Sequence, residues 1–377
     1  MNSFILALST LVGAIVGAGI FGIPYAIAKS GVVPGIFYLG VLAGAVLILH
    51  LLFGEVCLRT KEKYRLIGYA RRYLGKWGEA AMIFATFVGT VGTLLAYIII
   101  GGDFLKIVLS PLLSLSPIAA TFLFWLVLSL FVFQGIRFIA KTEFLMNIAL
   151  FIVIALVFLF AIPHIRIENF SLVHGDSLFL PYGIILFALI GWSAIPEIAE
   201  LFKKDDEKKK LRNVLRFASL ITFALYALFV FFVIGVSGAN TSPDALGGLV
   251  PFLGENIVII GAIIGLFIIA DSYIIFGDYL KNSLYYDYKI PLFFSAAITI
   301  SLPLALFMLG LRQFSEVVAV VGSFIGAVEG VTILLLFQKA RHHGDREPEY
   351  IVSIPRIFLI FLGLILISGA LLGFVFP

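Results

Sequence analysis

The sequence predicts an all-α polytopic membrane protein of eleven spanning segments, ten of them arranged as a five-plus-five inverted repeat. Three observations predict it. The 377 residues are 62% hydrophobic and only 13% charged, against about 25% charged for a soluble domain. The apolar residues fall into eleven blocks, at 4–28, 31–57, 79–109, 117–136, 142–163, 178–201, 213–237, 255–277, 290–310, 315–338 and 355–376. Each is long enough for a bilayer span, which takes roughly 20 mostly apolar residues. Finally, a pattern in the first block recurs in the sixth.

That pattern is Gly19-Ile20-Phe21-Gly22-Ile23-Pro24, which returns 172 residues later as Gly191-Trp192-Ser193-Ala194-Ile195-Pro196. Both read Gly-x-x-small-Ile-Pro, and both sit at mid-depth. The copy lies five segments on, an odd number, so the two helices cross the membrane in opposite directions. The expected division is a first repeat over 1–163 (segments one to five), an inverted second repeat over 178–339 (segments six to ten), and an extra eleventh segment over 355–377. A helix broken in hydrocarbon frees N–H and C=O groups that cannot stay unpaired, so the break persists only where a ligand, ion or water satisfies them. Paired Gly/Pro interruptions at matching places in two halves point to a transporter's binding site. The N-terminal end of a half-helix favours a carboxylate, and freed carbonyls favour an ammonium or small cation. A zwitterion meets both demands.

Gly17, Gly19 and Gly22 also spell G-x-G-x-x-G, the dinucleotide fingerprint. That motif needs a strand before it and an acid about 20 residues after it. Here it lies inside an unbroken apolar span, and the first carboxylate is Glu55. Gly13 and Gly17 have the GxxxG spacing of a helix-packing stripe, the structural alternative.

The loops orient the chain. With the N-terminus cytoplasmic, 22 of the 26 Lys and Arg residues fall on inside loops, and only Lys29, Lys106, Arg166 and Arg312 fall outside. This positive-inside bias predicts a multi-pass plasma or inner membrane protein, N-terminus in and C-terminus out. The net charge of +4 then reflects topology and gives no reason to invoke nucleic acid. The first segment has no basic n-region and its apolar run is too long for a signal peptide. Glu62 to Trp77 interleaves aromatic and basic residues, as an amphipathic helix on the inner leaflet does. "KKDDEKKK" (203–210) reads as a solvated inside turn, and Tyr285, Tyr286 and Tyr288 as an interfacial belt. Gly238 to Glu255 is the one substantial outside loop, a vestibule cap or a loose connector. It carries the sequon Asn240-Thr241-Ser242. The lone Cys57 allows neither an intrachain disulfide nor a cysteine metal cluster.

"GAIVGAGIFGIPYA" in segment one and "FALIGWSAIPEIAE" in segment six resemble the amino acid/auxin permease family, in particular its aromatic amino acid permease branch, within the amino acid–polyamine–organocation superfamily. "DYLKNSLYYDYKIP" after segment eight and "VVGSFIGAVEG" in segment ten are similar to that family as well. The resemblance covers essentially the whole chain. It implies the leucine-transporter-like inverted-repeat fold with helices one and six broken, and coupled uptake of amino acids. It implies further that the backbone at Gly17, Ala18, Gly19 and Ile20 receives the substrate carboxylate, and that carbonyls near Ile190 and Gly191 hold its amine. Trp192 and Ser193 would line the side-chain pocket, and Tyr97 in segment three would face the substrate. Trp192 departs from relatives in its bulk.

Acids at mid-membrane cost roughly 2.5–3.5 kcal/mol on insertion scales and are functional candidates by default. Asp271 is the clearest, near the centre of segment eight. In the leucine-transporter-like fold the pair Asp271-Ser272 would face the Gly13 and Val16 carbonyls and hold Na+, as in the neurotransmitter–sodium symporters. Alternatively Asp271 binds and releases a proton, its pKa raised by burial. The structural alternative is an acid paired with neighbouring hydroxyls. Asp278 lies on the same face nearer the inside. Glu55, Glu197 and Glu200 sit at the inner boundary, either solvated and ion-paired or forming an inner gate. Glu329 lies deeper, with a structural or a gating role.

Other classes lack their motifs. The five histidines are scattered, no H-E-x-x-H or G-x-x-x-x-G-K-[ST] occurs, and no repeated filter loop suggests a channel. The sequence therefore points to a secondary symporter, not an enzyme, for neutral, hydrophobic or aromatic amino acids. It needs no cofactor beyond a coupling Na+ or H+, and its partners are the small-molecule substrate and the lipid bilayer. Access would alternate by rocking of segments one, two, six and seven. An amino-acid sensor on the same fold is the alternative.

Overall fold

The computed structural model describes residues 3–134, 152, 154–156, 158–173, 177–286 and 288–375. Its helices follow the apolar blocks. Segment one is two helices, α1 (Ser3–Ile15) and α2 (Gly19–Ser30), bent by 50°. Next come α3 (Val32–Arg59), α4 (Leu66–Leu109) and α5 (Pro117–Gln134). Most of the segment expected over 142–163, with Arg137 and Lys141, lies outside the described residues. Segment six is α6 (Leu180–Leu189) and α7 (Ile195–Glu200). It is followed by α8 (Lys210–Ser237), α9 (Glu255–Tyr286), α10 (Leu292–Met308), α11 (Phe314–His343) and α12 (Arg356–Val375). Among the described residues, eight helices are long and apolar enough to cross a membrane, or nine if the bent pair counts as one span.

The surface helix expected over 62–77 is the first part of α4. It begins at Leu66, buries Tyr69 and Ala70, and exposes Arg71, Lys76 and Trp77. At Gly75 the backbone takes φ 71°, ψ −159°, a conformation that glycine adopts without Cβ strain. There the surface piece turns into the span.

α11 is the central strut, lying against α4 and α6 with α12 and α3 also alongside. Small residues set these distances: Gly183 of α6 and Gly322 of α11 face each other, and Gly89 of α4 receives Ile325. α1 lies on α8, and α2 on α6, so the two interrupted segments share the middle of the bundle.

The two ends differ. At the basic end, Lys63 and Arg65 pair with Glu200 at 3.0 Å, and Arg65 reaches Glu197 at 3.4 Å. The α11–α12 connection is stitched to α3 there. Asp345 N–H donates to Arg59 O at 2.8 Å, and Tyr350 Oη donates to Leu51 O at 2.8 Å. At the opposite end the 238–254 loop is folded, with short turns at Gly238–Asn240, Gly247–Leu249 and Val250–Leu253. Asp244, 6% exposed, accepts from the Ser242 hydroxyl and from Gly247 N–H. Burial raises its carboxyl above the usual carboxylate range.

Candidate functional site

The interruption in segment one falls at Val16–Ala18. Val16 N–H still reaches Val12 O at 2.8 Å, but Gly17 N–H folds back onto Ile15 O at 3.0 Å, and α2 starts afresh at Gly19. The N–H groups of Ala18 and Gly19 carry no hydrogen bond among the described residues. In segment six, Ile190 is extended (φ −65°, ψ 124°), Gly191 follows at φ −149°, ψ 5°, and one 3₁₀ turn, Trp192–Ala194, leads into α7. Pro196 sits in the first turn of α7, where its missing N–H costs nothing.

The two interruptions touch. A Cβ on Gly19 would lie 2.6 Å from Ala188 Cα and 2.7 Å from its Cβ, and a side chain on Gly191 would run into Ile15. Tyr226, seventeen residues into α8 and fully buried, sets its hydroxyl 3.0 Å from Ile15 O and 2.8 Å from Ala188 O. One phenol therefore serves a carbonyl at each break. Gly19→Ala is expected to force α2 off α6 at a cost of about 1–3 kcal/mol, as overpacking does. A lowered melting temperature in detergent would register it, and an unchanged one would mean the interface yields freely.

Tyr97 of α4, 4% exposed, closes one side. Its hydroxyl faces Gly17, 3.6 Å from where a Cβ would stand, and lies near Ser272 of α9. The proposed substrate and cation residues thus meet through Tyr97. α9 packs mainly on α4, α10 and α5. Asp271 and Ser272 are half-buried on α9, and Gly13 and Val16 lie on the other side of the site, with Val16 buried and Gly13 half-buried.

The neighbours Trp192 and Ser193 point differently. Ser193 is exposed. Trp192 is fully buried, its Nε1 donating to Glu329 Oε2 of α11 at 2.6 Å and its ring edge-on to His50 of α3 at 6.2 Å. Ile20 is buried and Ile190 half-buried beside the breaks. Glu55 is fully buried and paired with Arg59 at 2.7 Å, whereas Glu197 is more than half exposed.

Two residues past Gly19, three aromatic rings pack together away from the basic end. Phe21 of α2 stacks edge-on to Phe104 of α4 at 4.9 Å and to Phe229 of α8 at 6.0 Å, all three buried. Beyond this aromatic plug lies a cavity of about 600 Å³ lined by Asp103, Lys106, Asp244 and Glu255. Among the described residues no group of three His, Cys, Asp or Glu side chains forms a metal cluster.

Sequence reading missed Tyr226 and the aromatic plug. The available signal was a lone hydroxyl in the middle of the apolar run "FALYALFVFF", which by itself looks like ordinary core.

The chain is an all-helical bundle with eight or nine described helices long and apolar enough to cross a membrane, in which two interrupted segments pack against each other. Residues 1–372 match the Tryptophan/tyrosine permease family, and the chain belongs to it. It is also similar to Glutamine transporter 2 of Aliivibrio fischeri (strain ATCC 700601 / ES114), 26% identical over 235 residues. That alignment takes in 61% of this chain and only 60% of the relative's length. Among solved structures, MhsT in complex with L-phenylalanine shares the fold with a TM-score of 0.70 at 15% identity, covering 98% of both chains.

Proposed function

We propose that the protein is a secondary active transporter that moves neutral, hydrophobic or aromatic amino acids in symport with a cation, Na+ or H+. The observation that carries this reading is the meeting of the two interruptions under one tyrosine. Free N–H groups at Ala18 and Gly19 suit a carboxylate at the start of α2, where the helix dipole favours an anion. Carbonyls near Ile190 and Gly191 suit the substrate ammonium, with Tyr97 and Ser193 beside it. The family to which the chain belongs, and a neighbour in fold that holds L-phenylalanine, support an amino acid as cargo.

The plug at Phe21, Phe104 and Phe229 with exposed Ser193 and Glu197 supports a conformation open toward the basic end. Under the positive-inside rule that end is cytoplasmic, and the protein sits in the cell membrane with its N-terminus inside. Alternating access then requires the α1–α2, α3, α6–α7 and α8 bundle to rock, opening the plug and closing the Arg65–Glu197–Glu200 cluster.

The test is uptake into proteoliposomes of radiolabelled L-tryptophan, L-tyrosine, L-phenylalanine, L-leucine and L-glutamine under an imposed sodium or proton gradient. Accumulation of at least one under one gradient is the expected result. Binding without accumulation under either gradient would overturn the transport reading in favour of a sensor.

A further inference from the structure

Glu329 is the sixteenth residue of the 30-residue α11, so at 1.5 Å per residue it lies about 22 Å from either end of the helix. A carboxylate at that depth is costly unless something compensates it. Among the described residues its only hydrogen-bond partner is Trp192 Nε1, at 2.6 Å. None of the ion pairs at the basic end reaches it. The titratable neighbours are few on every side. From α3, His50 faces it across the Trp192 ring, with Nδ1 3.3 Å from Ser219 Oγ and Nε2 without a partner. From α4, Gly92 meets Val321 and Gly89 meets Ile325, a register that brings the buried Ala85 and Met82 to this level, and Glu79 lies further on, 3.6 Å from Arg71. Leu186 of α6 and Ile190 just after it pack at Gly326, and Leu366 of α12 packs at Gly330. On α11 itself the nearest charges are Glu316 and Lys339, more than two turns away.

We infer that Glu329 carries the coupling proton of this transporter, and that its hydrogen bond to Trp192 transmits the protonation state to the interrupted segment of helix six. The inference rests on the transport reading above and assigns its coupling ion. Ionised, the carboxylate accepts the indole N–H in a charge-assisted bond, roughly twice as strong as a neutral one. Taking up one proton from water on the loading side makes it a neutral acid with an O–H to donate, and the grip on the indole weakens. The same proton leaves to water on the release side, so the carboxyl returns to its starting state. Trp192 lies between Gly191 and Ser193, whose backbone and side chain border the site. A change in its placement therefore alters the site, and linkage requires that substrate alter proton affinity by the same factor. Trp192 is the positioning residue and Glu329 the proton-binding one.

The first test needs no ligand. In a Trp77→Phe, Trp125→Phe chain, Trp192 is the sole indole of three. Its emission is expected to shift between mildly acidic and mildly alkaline buffer, to lose that shift in Glu329→Gln, and to keep it in Glu329→Asp. No shift in the parent chain would overturn the inference, whatever the variants do. A shift that survives Glu329→Gln but vanishes in His50→Gln would assign it to His50 and overturn the inference too.

The second test is accumulation of L-phenylalanine in proteoliposomes. Proton-driven accumulation in the wild type and its loss in Glu329→Gln are expected. L-phenylalanine affinity should change about 5- to 150-fold with pH, the usual span for two linked sites, and Glu329→Gln should hold it at the acidic value. Accumulation driven by sodium alone, or proton-driven accumulation that survives Glu329→Gln, would overturn the inference and leave the transport reading standing. Binding with no gradient-driven accumulation would overturn the transport reading, and the coupling role with it.

Discussion

Glu55→Ala is expected to destabilise the protein by about 3–5 kcal/mol, the cost of leaving one partner of a buried ion pair uncompensated. Glu55 is fully buried near the basic end of α3. Its Oε1 receives Arg59, with Nε at 2.8 Å and the nearer terminal nitrogen at 2.7 Å, and its Oε2 receives Val352 N–H at 2.6 Å. Alanine strands a guanidinium that is itself only 13% exposed, together with one buried N–H. It also loosens the 344–354 segment, whose Asp345 N–H and Tyr350 hydroxyl bind α3 at Arg59 O and Leu51 O. Glu55→Gln keeps one acceptor oxygen for Val352 N–H but loses the charge and turns an NH2 donor toward Arg59, so it should fall between wild type and alanine. Thermal melting in detergent reads both. Equal melting of wild type and Glu55→Ala would mean that this carboxylate is a dispensable gate element rather than an anchor.

Tyr226→Phe is expected to weaken binding of whichever amino acid the uptake panel identifies by about ten- to a hundredfold. The change deletes one oxygen and leaves the ring, so packing against α1 and α6 is kept. Ala188 O loses this donor, and Ile15 O is left with the Gly17 N–H alone. An orphaned buried acceptor costs about 1–3 kcal/mol, and each 1.4 kcal/mol is tenfold. Because both acceptors are at the interruptions, the loss falls on the relative placement of α1 and α6 rather than on the periphery. The readout is equilibrium binding set beside the melting temperature. Unchanged affinity with a lowered melting temperature would make Tyr226 a stability residue only, and no change in either would show that water replaces the hydroxyl without loss.

Much of the architecture was legible because a bilayer imposes it locally. A span needs a run of apolar residues, so the blocks at 31–57, 117–136 and 315–338 could be marked residue by residue and return as α3, α5 and α11. The interruptions were legible for the same reason. Gly17, Gly19, Gly191 and Pro196 are local signals, and the helices stop and restart at Ile15/Gly19 and Leu189/Ile195. The surface helix over 62–77 was visible in its alternation of aromatic and basic residues, though not the turn at Gly75 that joins it to the span.

The site's cross-links were not legible. Trp192 and Glu329 are 137 residues apart, and Tyr226 and Ile15 211 apart, and no local pattern specifies that such pairs meet. Trp192 and Ser193 are neighbours in sequence and read alike as pocket lining, yet one is buried against Glu329 and the other is exposed. Only the 3₁₀ turn at Trp192–Ala194 sets those directions. Likewise Phe21, Phe104 and Phe229 are three among 38 phenylalanines until packing puts them over the site. By itself the sequence marked most of the stretches that return as long apolar helices and the two places where helices stop and restart, because hydrocarbon tolerates no unpaired backbone and few charges. The tertiary structure alone decided which hydroxyl satisfies the freed carbonyls and which acid holds the indole, because those choices depend on contacts between helices far apart in the chain.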